Sequence, residues 1–340
     1  MASTVSTLDP ATAPHNAATK PSINVETRHN RSTLMHLGQV VVRCFRSQLS
    51  KGAPDHEAGS VRLSPPKSKI APCTSTHRVV ADINIYDIVP PSQPKATPKK
   101  RIYYFVGGSW QRVPSPQHWW MVSKLAQRLP NTIVSIVSPP LAPNDPAARS
   151  FPACMALYRA LMADAHAAGE TVTFAGDSSG ANIVLCLALE ALREDAEAGT
   201  ERPHPVSVMA ICPSTDLTRS NDEIDSVAPF DPLLTPVMIR DTARAWCADS
   251  TDAAHPTVSP LNANVALLAK RGVKVHGVTA GYDVLCPDGV RFRDKCAEAG
   301  VKGEWLHWEK QMHCFVLMAP YRLSEPQMAI DWVVRVLEKE

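Results

Sequence analysis

The stretch TVTFAGDSSGANIVLCLALEAL, residues 171–192, constrains this chain more than any other segment. Thr171 to Ala175 is β-branched and apolar, the pattern of a short buried strand. From Ala181 onward, Ile183, Leu185, Leu187, Leu189 and Leu192 crowd a segment free of Gly and Pro, which predicts a largely buried helix. Between them, Gly176-Asp177-Ser178-Ser179-Gly180 fits the G-x-S-x-G pattern of a sharp strand-to-helix turn. Such a turn holds its serine in a strained backbone conformation with the hydroxyl exposed. A β-carbon at either glycine would collide with the neighbouring strand or helix.

The surroundings repeat the same alternation. Strands are predicted at 101–106, 132–137, 171–175, 206–212, 273–279 and 303–309, with a half-exposed strand within 78–89. Helices are predicted near 34–49, 117–128, 152–167, 179–194, 287–299 and 325–339. Strand and helix in turn imply an α/β fold with a mainly parallel sheet covered on both faces. Residues 213–272 are too long for one crossover and contain a helix at 236–246 with its proline in the first turn. This stretch reads as an insertion over the sheet edge, where a ligand pocket is expected. Residues 1–30 read as a disordered tail, and 50–76, rich in Pro, Lys and Ser, as loop.

Composition narrows the class. A 44% hydrophobic and 20% charged chain of 340 residues is that of a soluble globular protein with a substantial core. Residues 20–101 carry 14 Lys/Arg against 5 Asp/Glu, but no helix-turn-helix, zinc or RNA-binding signature accompanies them, so nucleic acid is not expected as a partner. Nine scattered cysteines without a C-x-x-C argue against a disulfide framework and for a reducing, cytoplasmic setting. No stretch is long and apolar enough for a membrane span. No His/Cys/Asp/Glu cluster has ligand spacing, so neither a metal nor another cofactor is expected. Homodimerisation stays open.

Three further segments complete a constellation around Ser178. RIYYFV runs into Gly107-Gly108-Ser109-Trp110, where backbone amides on a flexible turn could face an oxyanion. Asp283 in AGYDVL and His313 in QMHCF each follow a predicted strand. Loops at the carboxyl ends of parallel strands share one side of the sheet, so Ser178, Asp283 and His313 can meet there. Their order, Ser then Asp then His, is one that this kind of sheet uses.

With these residues the chain resembles the hormone-sensitive-lipase group of α/β-hydrolase carboxylesterases, from about residue 76 to the end. GDSSGAN is similar to the family's G-D-S-A-G-G-N, YYFVGGSW lies where the family has a strand and H-G-G-G, and PLAPN at 140–144 resembles L-A-P-E. HPTVSPL, GYDVLCPDG and the segment around MHCF follow the family spacing. The resemblance implies an α/β-hydrolase domain over 76–340, capped by residues 31–75 and an insertion at about 213–260.

It implies Ser178 as nucleophile, His313 as general base and acid, and Asp283 as the acid that orients it, with Asp288 as the rival. The oxyanion hole would comprise Gly107, Gly108, Ser109 and Ser179, with the amides of the last three as donors. The chain departs from the family where Val106 replaces a loop-bracing histidine and Ser109 the third glycine. Trp110 is expected to border the substrate, whereas Trp119 and Trp120 fit equally as core residues of their helix. The expected function is hydrolysis of a small ester or lactone through an acyl-enzyme. Acyl transfer, dehydration and a silent receptor are the competing readings.

Overall fold

Strands β1 (Ile23–Arg28), β2 (Thr74–Val80), β3 (Ile83–Val89), β4 (Lys100–Phe105), β5 (Thr132–Ser138), β6 (Thr171–Asp177), β7 (Ser207–Ile211), β8 (Lys274–Tyr282) and β9 (Gly303–Met312) join in one sheet in this computed structural model. Residues 21–49, 56–91 and 99–340 are described. The spatial order is β1-β9-β8-β7-β6-β4-β5-β3-β2. Every pairing from β1 through β5 is parallel, and β2 and β3 add antiparallel at the far edge. Because β4, β6, β7, β8 and β9 run the same way, the loops after Phe105, Asp177, Ile211, Tyr282 and Met312 collect along one edge.

The helices are α1 (Thr33–Cys44), α2 (Arg46–Leu49), α3 (Lys67–Ile70), α4 (Pro116–Arg128), α5 (Ala147–Ala167), α6 (Ser178–Ala198), α7 (Glu223–Val227), α8 (Pro236–Cys247), α9 (Ala266–Arg271), α10 (Cys286–Glu298) and α11 (Ser324–Leu337). Two apolar layers result. On one face α5, α6 and α10 pack over Phe105, Phe174 and Val208; on the other α4 and α11 pack over Tyr104, Ile136 and Leu306. Helix α6 is almost wholly enclosed, with Val184, Leu185 and Leu187 at most 1% exposed. Each such side chain contributes roughly 1.5–3 kcal/mol by leaving water. The helix ends at Gly199, whose φ of +62° supplies the left-handed cap.

The structure departs from the sequence expectations in three places. Ile23–Arg28, expected within a tail, forms edge strand β1, which pairs in parallel with β9 from Ile23↔Gly303 to Arg28↔Trp308. INVETR carries little apolar signal because an edge strand is held by backbone bonds, and here Ile23 is its one buried side chain. The single strand expected within 78–89 is a hairpin, β2 and β3, turning at Ala81 and Asp82, both at positive φ. Helix α5 begins at Ala147 and carries Pro152 within it. The remainder of the expected tail and residues 50–55 of the expected loop lie outside the described residues, as do residues 92–98.

The segments flanking the pocket edge are tied to each other. Arg43 donates to the Phe230 carbonyl at 2.9 Å and Arg46 to those of Asp231 and Pro232. Residues 59–63 instead run along the opposite edge, where Ser60 Oγ donates to the Ser138 carbonyl and the Leu63 amide to Tyr86 Oη.

The glycines flanking Ser178 are required by contact. A β-carbon on Gly176 would lie 2.6 Å from the Gly180 carbonyl carbon and 2.7 Å from the Phe105 oxygen, and one on Gly180 would overlap the Phe105 carbonyl. Helix α6 thus sits directly on the end of β4. Gly180→Ala is expected to destabilise the fold by about 1–3 kcal/mol or more through overpacking. Urea denaturation checks this; an unchanged midpoint would mean that the contact is loose.

Candidate active site

Ser178 opens α6 directly after extended Asp177, and its φ is +51°. A non-glycine residue held there costs about 1–3 kcal/mol, sustained by the packing of β6 and α6 on either side. The turn leaves Ser178 part-exposed beside a pocket of about 200 Å³, whose walls also include Gly107, Gly108, Ser109, Trp110 and His313. Ser179 lies buried behind it.

His313, which follows β9, is buried and donates from Nδ1 to Asp283 Oδ2 at 2.7 Å. Asp283, after β8, accepts at Oδ1 from the Leu285 amide at 2.9 Å, which fixes the carboxylate plane. Burial works against a charged His313 imidazole, but Asp283, through charge and hydrogen bond, reverses this and raises its pKa from 6.5 to about 9. Asp288 points elsewhere, accepting from Asn221 Nδ2 at 2.9 Å and Arg291 at 3.2 Å. The structure therefore joins His313 to Asp283 and not to the rival carboxylate.

The sequence reading missed Asp231. Its carboxylate accepts from the amides of Leu233, Leu234 and Val284 at 2.8–2.9 Å, clamping the insertion to the loop that carries Asp283. Burial, then repulsion from Asp283, pushes its pKa up to about 6. Asn182, within GDSSGAN, makes a comparable clamp. Its Nδ2 donates to the carbonyls of Ser214 at 2.8 Å and Val258 at 2.7 Å, near the two ends of the insertion.

The loop after β4 is braced by Asp177. Gly107 donates its amide to Asp177 Oδ1 at 2.9 Å, so that amide is committed to the protein and Gly107 is not a free donor. Gly108, Ser109 and Trp110 follow at positive φ and turn the loop along the pocket wall. Asp177 also accepts from Tyr104 Oη at 2.9 Å and contacts His118 Nε2 at 3.2 Å. His118 Nδ1 accepts from the Ser115 amide at 3.1 Å, which leaves the Nε2 proton for Asp177. Burial alone would raise the Asp177 pKa, but His118, the Gly107 amide and Tyr104 together hold it below the ordinary 3.8. No local pattern in the sequence marks His118, which reaches the site from α4.

Trp110 lines the pocket and stacks on Trp246 at 5.6 Å with 13° between the rings. Trp119 is a core residue packed edge-on to Tyr86, and Trp120 lies beneath Lys124. Leu233, Leu234, Met238 and Ile239 from the insertion close the pocket's apolar side. A further difference from expectation is the grouping of Cys212, His313 and Cys314, whose potential ligand atoms all lie within 4.8 Å of one another. No local spacing announces this set, because Cys212 follows β7 and the other two follow β9.

Removing His118 takes one donor from a buried carboxylate that keeps Tyr104 and Gly107. His118→Ala is expected to cost about 1–3 kcal/mol at pH 7 in urea unfolding. A lowered folded pKa contributes stability above the unfolded value of 3.8, and loses it as the pH falls through the folded value. The gap between wild type and variant should therefore narrow below pH 3.8. An equal gap at all pH values would assign the loss to packing alone.

Comparisons with known proteins agree with this architecture. A family model described as alpha/beta hydrolase fold matches residues 102–317. The chain is 26% identical over 208 residues to an esterase of Acinetobacter venetianus, covering 61% of this chain and 65% of that one. It is 30% identical over 167 residues to the hormone-sensitive lipase of Homo sapiens, covering 47% of this chain and 15% of the lipase. The chain thus spans less than two thirds of the length of these curated relatives. The crystal structure of carboxyl esterase 2 from the mycorrhizal fungus Tuber melanosporum superposes with a TM-score of 0.74 at 19% identity, over 91% of this chain and 99% of that one. The matched region runs from β4 through the loop that carries His313, and the chain belongs to the α/β-hydrolase fold family.

Proposed function

We propose that this protein hydrolyses small carboxylic esters through an acyl-enzyme on Ser178. The observation that carries the reading is Ser178 at a strained elbow, sharing one pocket with His313, whose other ring nitrogen is bonded to Asp283. In this mechanism Ser178 Oγ attacks the ester carbonyl and passes its proton to His313 Nε2. The oxyanion is held by the amides of Gly108, Ser109 and Ser179, each donor supplying about 3 kcal/mol to the transition state. The imidazolium, stabilised by Asp283, then protonates the departing alcohol. Water repeats the sequence, giving its proton to His313 and its oxygen to the acyl carbon, and the imidazolium returns a proton to Ser178 Oγ as the acyl–oxygen bond to it breaks.

The pocket supports the choice of a small substrate. Its volume of about 200 Å³ is below the usual range of roughly 300–1,000 Å³ for ligand pockets. Residues of the insertion, tied to α1 and α2, act as a cap over Ser178 and present apolar side chains to the substrate. A reducing, cytoplasmic setting suits the nine free thiols, of which Cys44 alone is exposed.

Labelling with a fluorophosphonate probe tests the nucleophile, and hydrolysis of a short-chain chromogenic ester tests the reaction. Ser178→Ala and His313→Ala should each lower kcat on the order of 10⁴- to 10⁶-fold, and the double variant little further, because the groups act as a unit. Undiminished hydrolysis in Ser178→Ala would end the proposal. The base must be neutral to accept a proton, so kcat/KM should rise with pH along a limb lying above 6.5 and toward about 9. Asp283→Asn should lower kcat about ten-thousandfold. A limb at or below 6.5 would mean that Asp283 does not act on His313 in the empty pocket.

A further inference from the structure

His313 has a second set of neighbours. Its Nε2 lies 3.4 Å from Cys314 Sγ. Cys212 Sγ accepts from the Cys314 amide at 3.4 Å, which holds the second thiol against the same backbone. All three side chains are buried. His313 and Cys314 also line the Ser178 pocket, so two of the three donors border a space that an ion in water can enter, with Cys212 buried behind them.

The chemistry of the set is specific. Two sulfurs and an imidazole nitrogen suit zinc and other thiophilic cations, and they disfavour magnesium or calcium, which take oxygen ligands. In a tetrahedral zinc site the nitrogen and a sulfur ligand are about 3.6 Å apart. The 3.4 Å between His313 Nε2 and Cys314 Sγ already matches that span. The sulfur of Cys212 is the third potential ligand atom, and all three lie within 4.8 Å of one another. Asp283 on Nδ1 gives the carboxylate–histidine arrangement that orients metal-bound imidazoles and raises their basicity. Three protein ligands leave the fourth position open for water.

We propose that Cys212, His313 and Cys314 form a binding site for a thiophilic divalent cation of the zinc class, and that occupation switches hydrolysis off. Binding displaces the two thiol protons to solvent and forms two metal–sulfur bonds and one metal–nitrogen bond. The Nε2 lone pair taken by the metal is the one that receives the Ser178 proton. The site itself is independent of the hydrolytic reading; the inhibition rests on it.

Cobalt(II) serves as the spectroscopic probe, in the full chain carrying Cys44→Ala to remove the exposed thiol. Expected is a thiolate-to-cobalt charge-transfer band that saturates at one ion per chain, is displaced by zinc, and weakens on the order of tenfold or more in Cys212→Ala and in Cys314→Ala. X-ray absorption of the cobalt complex should give two sulfur neighbours, a readout that needs no further variant to fold. Absence of the band, no sulfur in the coordination shell, or a band unchanged in both cysteine variants would overturn the site. Zinc should also inhibit hydrolysis of the chromogenic ester reversibly with EDTA, and Cys212→Ala should raise the inhibiting concentration about tenfold. Sulfur-bound metal with undisturbed hydrolysis would overturn the switch. A chain without hydrolysis would overturn the proposed function while the cobalt measurements still decide the site.

Discussion

The buried carboxylate of Asp177 governs how the site is assembled. A charge withdrawn from water costs several kcal/mol unless its lone pairs are satisfied. Here the partners come from four parts of the chain: Tyr104 at the end of β4, Gly107 in the next loop, His118 on α4, and Cys314 beyond β9, whose Sγ lies 3.6 Å away. The need to satisfy one group therefore fixes strand end, loop, helix and C-terminal loop relative to one another. Ser178 follows Asp177 directly in sequence, so the elbow inherits that position. The acidic residue of GDSSG is a structural keystone, and it stands apart from the bond between His313 and Asp283.

Legibility in the sequence follows the range of the forces involved. Strands β4 to β9 and helix α6 were readable because buried strands and helices need continuous or periodic apolar residues, and these lie close together along the chain. The Ser178 elbow was readable because its pattern is compact in sequence, from Gly176 to Gly180, although the contacts that demand both glycines are made with the distant end of β4. Strand β1 was hidden, for its stability comes from backbone pairing with β9, 280 residues later, and not from its own side chains. His118, Asp231 and Cys212 were hidden as site residues because a lone histidine, aspartate or cysteine has no local pattern. Only the fold reveals what each one touches. Asp283 and His313 were placed by the rule that parallel strands deliver their carboxyl-end loops to one edge.

The insertion shows how a long excursion is kept in register with a rigid sheet. Asn182 on α6 holds carbonyls near both of its ends, and Asp231 in its middle holds Val284 beside Asp283. Both clamps use side-chain groups against backbone, which leaves the intervening side chains free to face the pocket. Leu233 and Leu234 donate their amides to Asp231 while their side chains line the apolar wall. One carboxylate thereby ties part of the pocket's apolar wall to the loop that carries Asp283.

The same economy explains why valine is acceptable at position 106. The resemblance leads one to expect a histidine there to brace the glycine loop, yet Val106 is buried against the apolar layer with Tyr104 and Cys314. The brace comes from beneath. His118 holds Asp177, and Asp177 holds the Gly107 amide, so an imidazole still supports the loop through an intervening carboxylate. This relay moves the polar group from the end of β4 to the start of α4, where Ser115 fixes its tautomer. It also frees the wall at 106 to remain apolar, and keeps Gly108 and Ser109 turned along the pocket beside Ser178. Loss of a motif residue need not mean loss of the physical support that the motif supplied; here a residue from another element meets the same requirement.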